Sequence, residues 1–526
     1  MWKEVKTVSK HSSTPTCCLT LPLRLEKWQA DRLTKRFEIA RQIYNTLVHY
    51  ELKKLRQLER SSEYRNVQSQ LFTLYQENKK GSSEYQEAGK IRSKLLKDAG
   101  FSEYGFTHDM KYFYKHFNNN IGSSVAVLCI AKQVWRAFDK KLYGNGKRIH
   151  YKEPGGICTL QGATNSAQAG GSEIMFRGTY IEWKGLHLPL KVDPSNQYET
   201  EMLQKRVKFV RILRRPGKKY DHWYAQLALE GVPAIKRNRT TNELVHPVGH
   251  GPVGIDIGPQ TIAYVSQGVA SLEELADRVQ NIEHEKRIIQ RKMDRSRRAM
   301  NPDNYAPDGT IRKGVRLTRN KSNHYKNLQH SLSYMYHKQA SIRKYQHALL
   351  ANHLLSLGDC FYVEDMPWSS LTRRAKETAI SEKTGKYKRK KRFGKSISNK
   401  APAMLIEILK QKCDSLGLPG IKKVPLKLKA SQYNHITGTE EKKELSQRWN
   451  YMPDGRKIQR DLYSAFLLQH VTPQLDGYGY DSAQLHLDYE HFVLLHDQTI
   501  QTLINAPKTI SSMGISRSHS NQNIIA

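Results

Sequence analysis

Between Val253 and Val265 the chain reads Val-Gly-Ile-Asp-Ile-Gly-Pro-Gln-Thr-Ile-Ala-Tyr-Val. That is two short apolar strands joined at Gly258-Pro259, with one carboxylate, Asp256, set among the apolar residues of the first. A second apolar strand, Cys360–Glu364, ends on the acid Glu364. A third acid, Asp461, lies in a run from Gln459 to Leu468 that reads as the start of a buried helix. About a hundred residues separate each acid from the next. The most economical fold is an α/β domain whose distant segments converge on one carboxylate cluster, and such a cluster holds divalent metal.

Charge narrows the partner. The 526 residues carry 86 Lys and Arg against 49 Asp and Glu, a formal net charge of +37, and a long polyanion is the natural complement. The length corresponds to about three domains. Cys17, Cys18, Cys129, Cys158, Cys360 and Cys413 include no C-x-x-C pair, so neither a zinc knuckle nor a disulfide framework is visible, which suits a reducing compartment. The N-terminus has no signal-peptide pattern, and no apolar run approaches the ~18 residues of a membrane span.

Along the chain, residues 1–25 read as β-structure. A helical block follows over 26–144, with Phe37, Ala40, Tyr44 and Leu47 on one face of its first helix and Arg32, Lys35, Arg36 and Arg41 on the other. Residues 145–245 turn β-rich, with Val207–Leu213 and His222–Leu229 forming a hairpin. The strands of 1–25 and 145–245 could close one small barrel around the inserted helices. The acid-bearing domain takes 250–430 and 456–475. It includes a helical hairpin whose first arm, Lys286–Arg298, has seven basic residues in thirteen: Lys286, Arg287, Arg291, Lys292, Arg295, Arg297 and Arg298. The Asn301–Gly314 loop interrupts the hairpin. Its second arm, 321–356, carries Leu328, Leu332, Met335, Ile342, Tyr345 and Leu349 on a face expected to pack on a sheet. Lys386–Arg392 is a basic run in a polar loop, and 476–526 reads as a polar tail, disordered at least at its end.

Hydrolysis of a phosphodiester needs a deprotonated water and relief of charge on the leaving oxygen, and two Mg²⁺ ions about 4 Å apart provide both. Mg²⁺ takes hard oxygen ligands, so Asp and Glu are the fitting donors. Asp256, mid-strand, is the candidate to bridge the ions. Glu364 ranks ahead of Asp365, which lies one residue further from the apolar strand.

Gly254-Ile-Asp-Ile-Gly258, Val363-Glu-Asp-Met366 and Arg460-Asp-Leu-Tyr-Ser-Ala465 resemble the three split RuvC motifs of the TnpB family, the transposon-encoded RNA-guided nucleases related to the compact type V CRISPR effectors. The Arg-rich hairpin and the layout of the N-terminal half are similar too. The resemblance covers roughly residues 15–470. It implies a multidomain α/β protein: an RNase H-like (RuvC) nuclease domain plus an N-terminal β-barrel wedge domain with an inserted α-helical recognition domain. It implies a guide RNA, cleavage of double-stranded target DNA beside a short flanking motif, and action on the nucleoid of a prokaryotic cytoplasm. Asp256, Glu364 and Asp461 then take the catalytic and Mg²⁺-binding positions, and Arg460 matches the family's arginine beside the last acid. The chain departs from the family in two places. The zinc-ribbon region, 431–455, has no cysteine, so no zinc is expected there, and Tyr463 and Ser464 replace the usual Asn and Ala. A guided DNA-binding protein without cleavage is the alternative. An actin- or sugar-kinase-like ATPase would need a second Gly-rich Asp loop downstream, which the sequence lacks.

Overall fold

The computed structural model describes residues 14–117, 120–144, 146–166, 173–238, 240–375, 377–381, 385–387, 393–444, 446–474, 477–506 and 510–515. Lys388–Arg392 of the basic run and the polar end of the tail, 516–526, lie outside them. The chain is a mixed α/β protein of two compact units, Met1–Ala234 and Ile235–Ala526. No helix among the described residues is long and apolar enough to cross a membrane.

The first unit runs β1 (Thr16–Pro22), α1 (Lys27–Arg60), α2 (Ser62–Gln76), α3 (Ser83–Asp98), α4 (Glu103–Phe113) and α5 (Ala131–Leu142). It continues with β2 (Thr159–Gln161), β3 (Met175–Phe176), β4 (Tyr180–Trp183), β5 (Leu186–Pro189), α6 (Gln197–Gln204), β6 (Val207–Pro216) and β7 (Asp221–Glu230). β1 pairs antiparallel with β7, and the sheet order is β1-β7-β6-β2, so α1 to α5 enter the sequence between β1 and β2, the two edge strands of one sheet. Ser61, Ser82 and Ser102 cap α2, α3 and α4 by accepting from the backbone N–H three residues on. Strands and helices share one apolar core, from Leu19 and Leu21 through Phe37, Phe106 and Phe138 to Leu227.

One residue of α1 departs from the expected pattern. Arg36, assigned by periodicity to the solvent face, is buried at 5 % exposure. Its guanidinium donates to the carbonyls of Trp183 (2.5 Å) and Lys184 (2.7 Å) and stacks on the Trp183 ring at 4.8 Å. Burial lowers its pKa to about 10. An arginine can sit inside when carbonyls and a ring replace its water, and helical periodicity does not reveal that partner.

The second unit begins with β8 (Pro252–Ile257), β9 (Thr261–Val265), β10 (Ala270–Glu274), α7 (Glu283–Met300), α8 (Asn323–Leu357) and β11 (Cys360–Glu364). Then come α9 (Trp368–Leu371), α10 (Gly394–Lys400), α11 (Pro402–Leu416) and β12 (Gly420–Val424). The short strands β13 (Tyr433–Asn434), β14 (Thr439–Glu440), β15 (Trp449–Tyr451) and β16 (Lys457–Gln459) precede α12 (Arg460–Gln469). The unit ends with β17 (Val471–Gln474), β18 (Gly477–Tyr480) and α13 (Ser482–Asn505). Its central sheet has the order β10-β9-β8-β11-β12, antiparallel across β10, β9 and β8 and parallel across β8, β11 and β12.

Strand alternation sorts this sheet into two faces. Val253, Ile255, Ile257, Phe361 and Val363 join a core with Ala351 and Leu354 of α8 and Leu405 and Leu409 of α11. Ala263, Val265 and Leu272 point the other way, into a core built by α12 and α13. The α8 face expected on the sheet is not the one buried. Tyr345 and Leu349 are 60 % and 46 % exposed, and the buried positions are His347, Ala351, Leu354 and Leu355. The helix is 35 residues long, and only its last turns reach the core, so periodicity read over its whole length points at a face that has left the sheet.

Part of the region expected to be a polar tail is structured. Residues 477–505 form β18 and α13, and Leu485, Tyr489, Phe492, His496 and Ile500, spaced 4, 3, 4 and 4 apart, are buried in the core. The polar residues between them belong to the wet face of an amphipathic helix.

The cysteine-free region 431–455 holds the hairpin β13–β14 and strand β15, which pairs with β16. His435 is buried among Tyr463, Phe466 and Tyr489, sharing a 2.7 Å hydrogen bond with the Tyr463 hydroxyl through Nδ1. Burial, then the neighbouring His486 and His470, pushes its pKa down to about 4. A base depressed on folding stabilises fully above its ordinary value of about 6.5 and loses that contribution as pH falls towards 4. Thermal melts from pH 7 to pH 4 should show a loss of a few kcal/mol that His435→Gln lacks; identical slopes in both proteins would contradict it.

Candidate active site

The same alternation that fills the two cores sets the acids. Asp256 on β8 and Glu364 on β11 point to the α12 side, opposite to Ile255 and Val363. Ile255 and Val363 are partners in the parallel register, so Asp256 and Glu364 follow side by side at roughly 5 Å strand spacing. α12 crosses β8 over Gly254. A Cβ there would collide with the Ala465 carbonyl oxygen and the Gln469 amide, and would meet the Leu468 carbonyl carbon at 2.9 Å. With no side chain in the way, the helix seats on the strand, and Asp461, one turn before Ala465, comes to the end of β8 where Asp256 lies.

The start of α12 is fixed from both sides. Gln459 caps it, its side chain accepting from the Leu462 N–H at 2.8 Å, while its own N–H donates to Nε2 of buried His496 at 3.0 Å. Its amide nitrogen donates to the Met513 carbonyl at 3.2 Å. The helix is buried almost throughout, from Asp461 to Gln469.

The charges act on one another. Asp256 is held well above the usual carboxylate range, first by burial, then by the negative charges of Asp461 and Glu364. Arg460 and the Ser464 hydroxyl oppose that rise. Glu364 is also raised, by burial. Asp461 is met by two cations, Arg460 Nε at 3.5 Å and Arg448 at 3.8 Å. Asp365 is exposed and pairs with Lys423 at 2.8 Å, away from this group. Among the described residues no three His, Cys, Asp or Glu side chains form a ready-made single-ion site.

The eight basic residues singled out in the sequence divide. Arg287, Arg291, Lys292 and Arg295 are exposed on α7, with no acidic partner among the described residues, and three of them line a surface hollow with Gln290 and Asp294. Lys286 is tied to Glu283 at 2.7 Å, and Arg297 and Arg298 both pair with Asp294. Arg460 turns inward against Asp461. Three positions beside the acids lacked a role in the sequence reading: Gly254, Ser464 and Arg448. Gly254 carried a signal, since a glycine inside a strand often marks a close backbone approach. Ser464 sits three residues after Asp461, one turn along the same helix face. Arg448 had no local signal.

No protein-family model matches the chain, and no curated protein matches it. Among solved structures it is similar to the cryo-EM structure of the Cas12f1-sgRNA-target DNA complex, with 13% identity, 86% of this chain and 98% of that chain covered, and a TM-score of 0.38. It is also similar to the cryo-EM structure of a CRISPR-Cas12f ternary complex, with 12% identity, 86% and 83% covered, and a TM-score of 0.23. At this distance the guide RNA and target DNA belong to those complexes, and this chain's chemistry is argued from its own residues.

Proposed function

We propose that this chain is an RNA-guided DNA endonuclease that hydrolyses target DNA beside a short flanking motif, with Asp256, Glu364 and Asp461 as ligands of two Mg²⁺ ions. One observation carries this reading: two strand acids and a helix acid, drawn from segments far apart in sequence, press their charges on one another within a strongly basic protein. Such a group costs stability unless cations offset it, and its donors are all hard oxygens, which fit Mg²⁺ in kind. Bound there, the ions would lower the pKa of a water and neutralise the leaving oxygen. The chain's own part is to orient. The sheet fixes Asp256 and Glu364, Gln459 and His496 fix the start of α12, and Arg460 and Arg448 steady Asp461. The exposed cations of α7, Arg287, Arg291, Lys292 and Arg295, would hold phosphates by charge.

The second reading is a guided DNA-binding protein that does not cut. The lack of a ready-made single-ion group among the described residues favours it. Two ions would divide the acids between them, so a tight triple is not required. The separating experiment is to sequence RNA that copurifies with the protein, reprogramme it, and offer plasmids carrying the matching target with randomised flanks. Linear product in Mg²⁺ and none in EDTA is expected. Target binding without cleavage selects the second reading, and absence of copurifying RNA overturns both.

A further inference from the structure

The loop at the tip of the α7–α8 hairpin is held in one shape by two buried asparagines. Asn301 and Asn304 are 2 % and 8 % exposed. The Asn301 amide donates to the carbonyls of Arg297 and Asn320, each at 2.9 Å, and its oxygen accepts from the Asn320 N–H at 2.8 Å and the Thr318 hydroxyl at 3.0 Å. Asn304 exchanges both of its side-chain groups with the Thr318 backbone, at 2.7 and 2.8 Å, and its carbonyl accepts from the Arg312 N–H at 2.9 Å. Arg298 donates to the Gly309 carbonyl at 2.9 Å and covers the Tyr305 ring at 4.5 Å.

What this lock presents is unlike a solvated loop. From Ile311 to Arg319 every residue is exposed, and the segment holds Arg312, Lys313, Arg316 and Arg319 with no acid. Lys313, Arg316 and Arg319 have no acidic partner among the described residues. Between them stand Ile311, Val315 and Leu317, exposed by 50 %, 50 % and 38 %. Ordering a free loop on binding costs conformational entropy, and here the fold has already met that cost.

We infer that Ile311–Arg319 is a preformed dock for the shallow groove of a double-helical RNA stem. The cations call for phosphates. The aliphatic side chains fit an apolar floor such as ribose carbons. The segment has no free aromatic platform, since Tyr305 is covered, and single strands are held by stacking on such platforms. Thr318, its one uncharged polar side chain, is turned into the asparagine lock. The minor groove of B-form DNA, about 6 Å wide, is too narrow for a segment bearing Val and Leu side chains. An A-form duplex offers a wide, shallow groove floored by ribose, flanked by phosphates and read by shape. The inference deepens the nucleic-acid reading given above and rests on it, but it does not involve the carboxylates.

The test uses the full chain in EDTA, with an RNA duplex of about 16 base pairs, the DNA duplex of the same sequence, and single-stranded RNA as probes. The double variant Arg316→Gln/Arg319→Gln should weaken the RNA duplex about tenfold and lower its salt slope by about two, with under about threefold change for the other probes. Asn301→Ala keeps every cation and should weaken the RNA duplex about threefold or more with the slope unchanged, because only preorganisation is lost. Equal losses on all probes, no loss, or a loss confined to DNA or single strands would overturn the inference. Because the measurement excludes divalent metal, a chain that never cuts DNA can still pass it, and one that cuts can still fail.

Discussion

Asp256→Asn is expected to abolish Mg²⁺-dependent DNA cleavage, by about a thousandfold or more, while making the metal-free protein more stable to heat. The first effect follows from the proposed shared position of Asp256. Metal ions contribute several kcal/mol to the transition state, and each 1.4 kcal/mol is about tenfold in rate. Binding of RNA and matched target should stay within about threefold, since the substitution leaves every exposed cation in place. The second effect follows from the electrostatics. The Asp256 carboxyl is raised by burial and by Asp461 and Glu364. A carboxyl raised on folding contributes stability that is complete below its ordinary value of about 3.9 and is lost as pH rises through the folded value. Asparagine keeps the shape and removes the charge, so its advantage should be absent near pH 4 and grow as pH rises. Mg²⁺ should raise the melting temperature of the wild type and leave that of the variant nearly unmoved. Lost binding, or a variant less stable than wild type at neutral pH, would move Asp256 from the chemistry to the scaffold.

Gly254→Val is the substitution expected to damage the second unit most. The obstacles to a side chain there are backbone atoms of Ala465, Leu468 and Gln469, which cannot swing aside as a flexible side chain can. α12 would have to lift off β8, opening the core of Leu462, Phe466 and Leu468 and carrying Asp461 away from Asp256. A loss of about 3 kcal/mol or more is expected, a fall in melting temperature of roughly 5–10 °C, with cleavage lost in proportion. Gly268→Ala is the control. Nothing lies within 4 Å of a Cβ there, and its backbone is not in the left-handed region, so its melting temperature should match the wild type. Equal melting of all three proteins would mean that the strand–helix contact is not what positions the third acid.

What was readable in the sequence was what local pattern encodes. Short apolar runs, the first two joined at Gly258-Pro259, marked β8, β9 and β11, and helical spacing marked the buried face of α1 through Phe37, Ala40, Tyr44 and Leu47. The resemblance to split motifs pointed to Asp256, Glu364 and Asp461, and the fold sets these acids within reach of one another's charge. What was not readable depended on partners distant in sequence. Arg36 is inside because Trp183 receives it, about 150 residues on. The face of α8 was misjudged because only its last turns reach the core, so a period read over its whole length does not mark the buried side. The structured end of the second unit was passed over because His, Asp and Glu between Leu485, Tyr489 and Phe492 outweighed the apolar spacing. Asn301 and Asn304 read as loop residues because polar side chains that bury themselves by bonding backbone leave no apolar trace.

The most direct measurement is anomalous scattering from crystals of the RNA-loaded protein soaked in Mn²⁺. Two peaks about 4 Å apart, bounded by the carboxylates of Asp256, Glu364 and Asp461 and absent from Asp256→Asn crystals, are the expected result. Crystals that diffract well and hold manganese elsewhere, with no peak among these three side chains, would contradict the metal site and with it the nuclease.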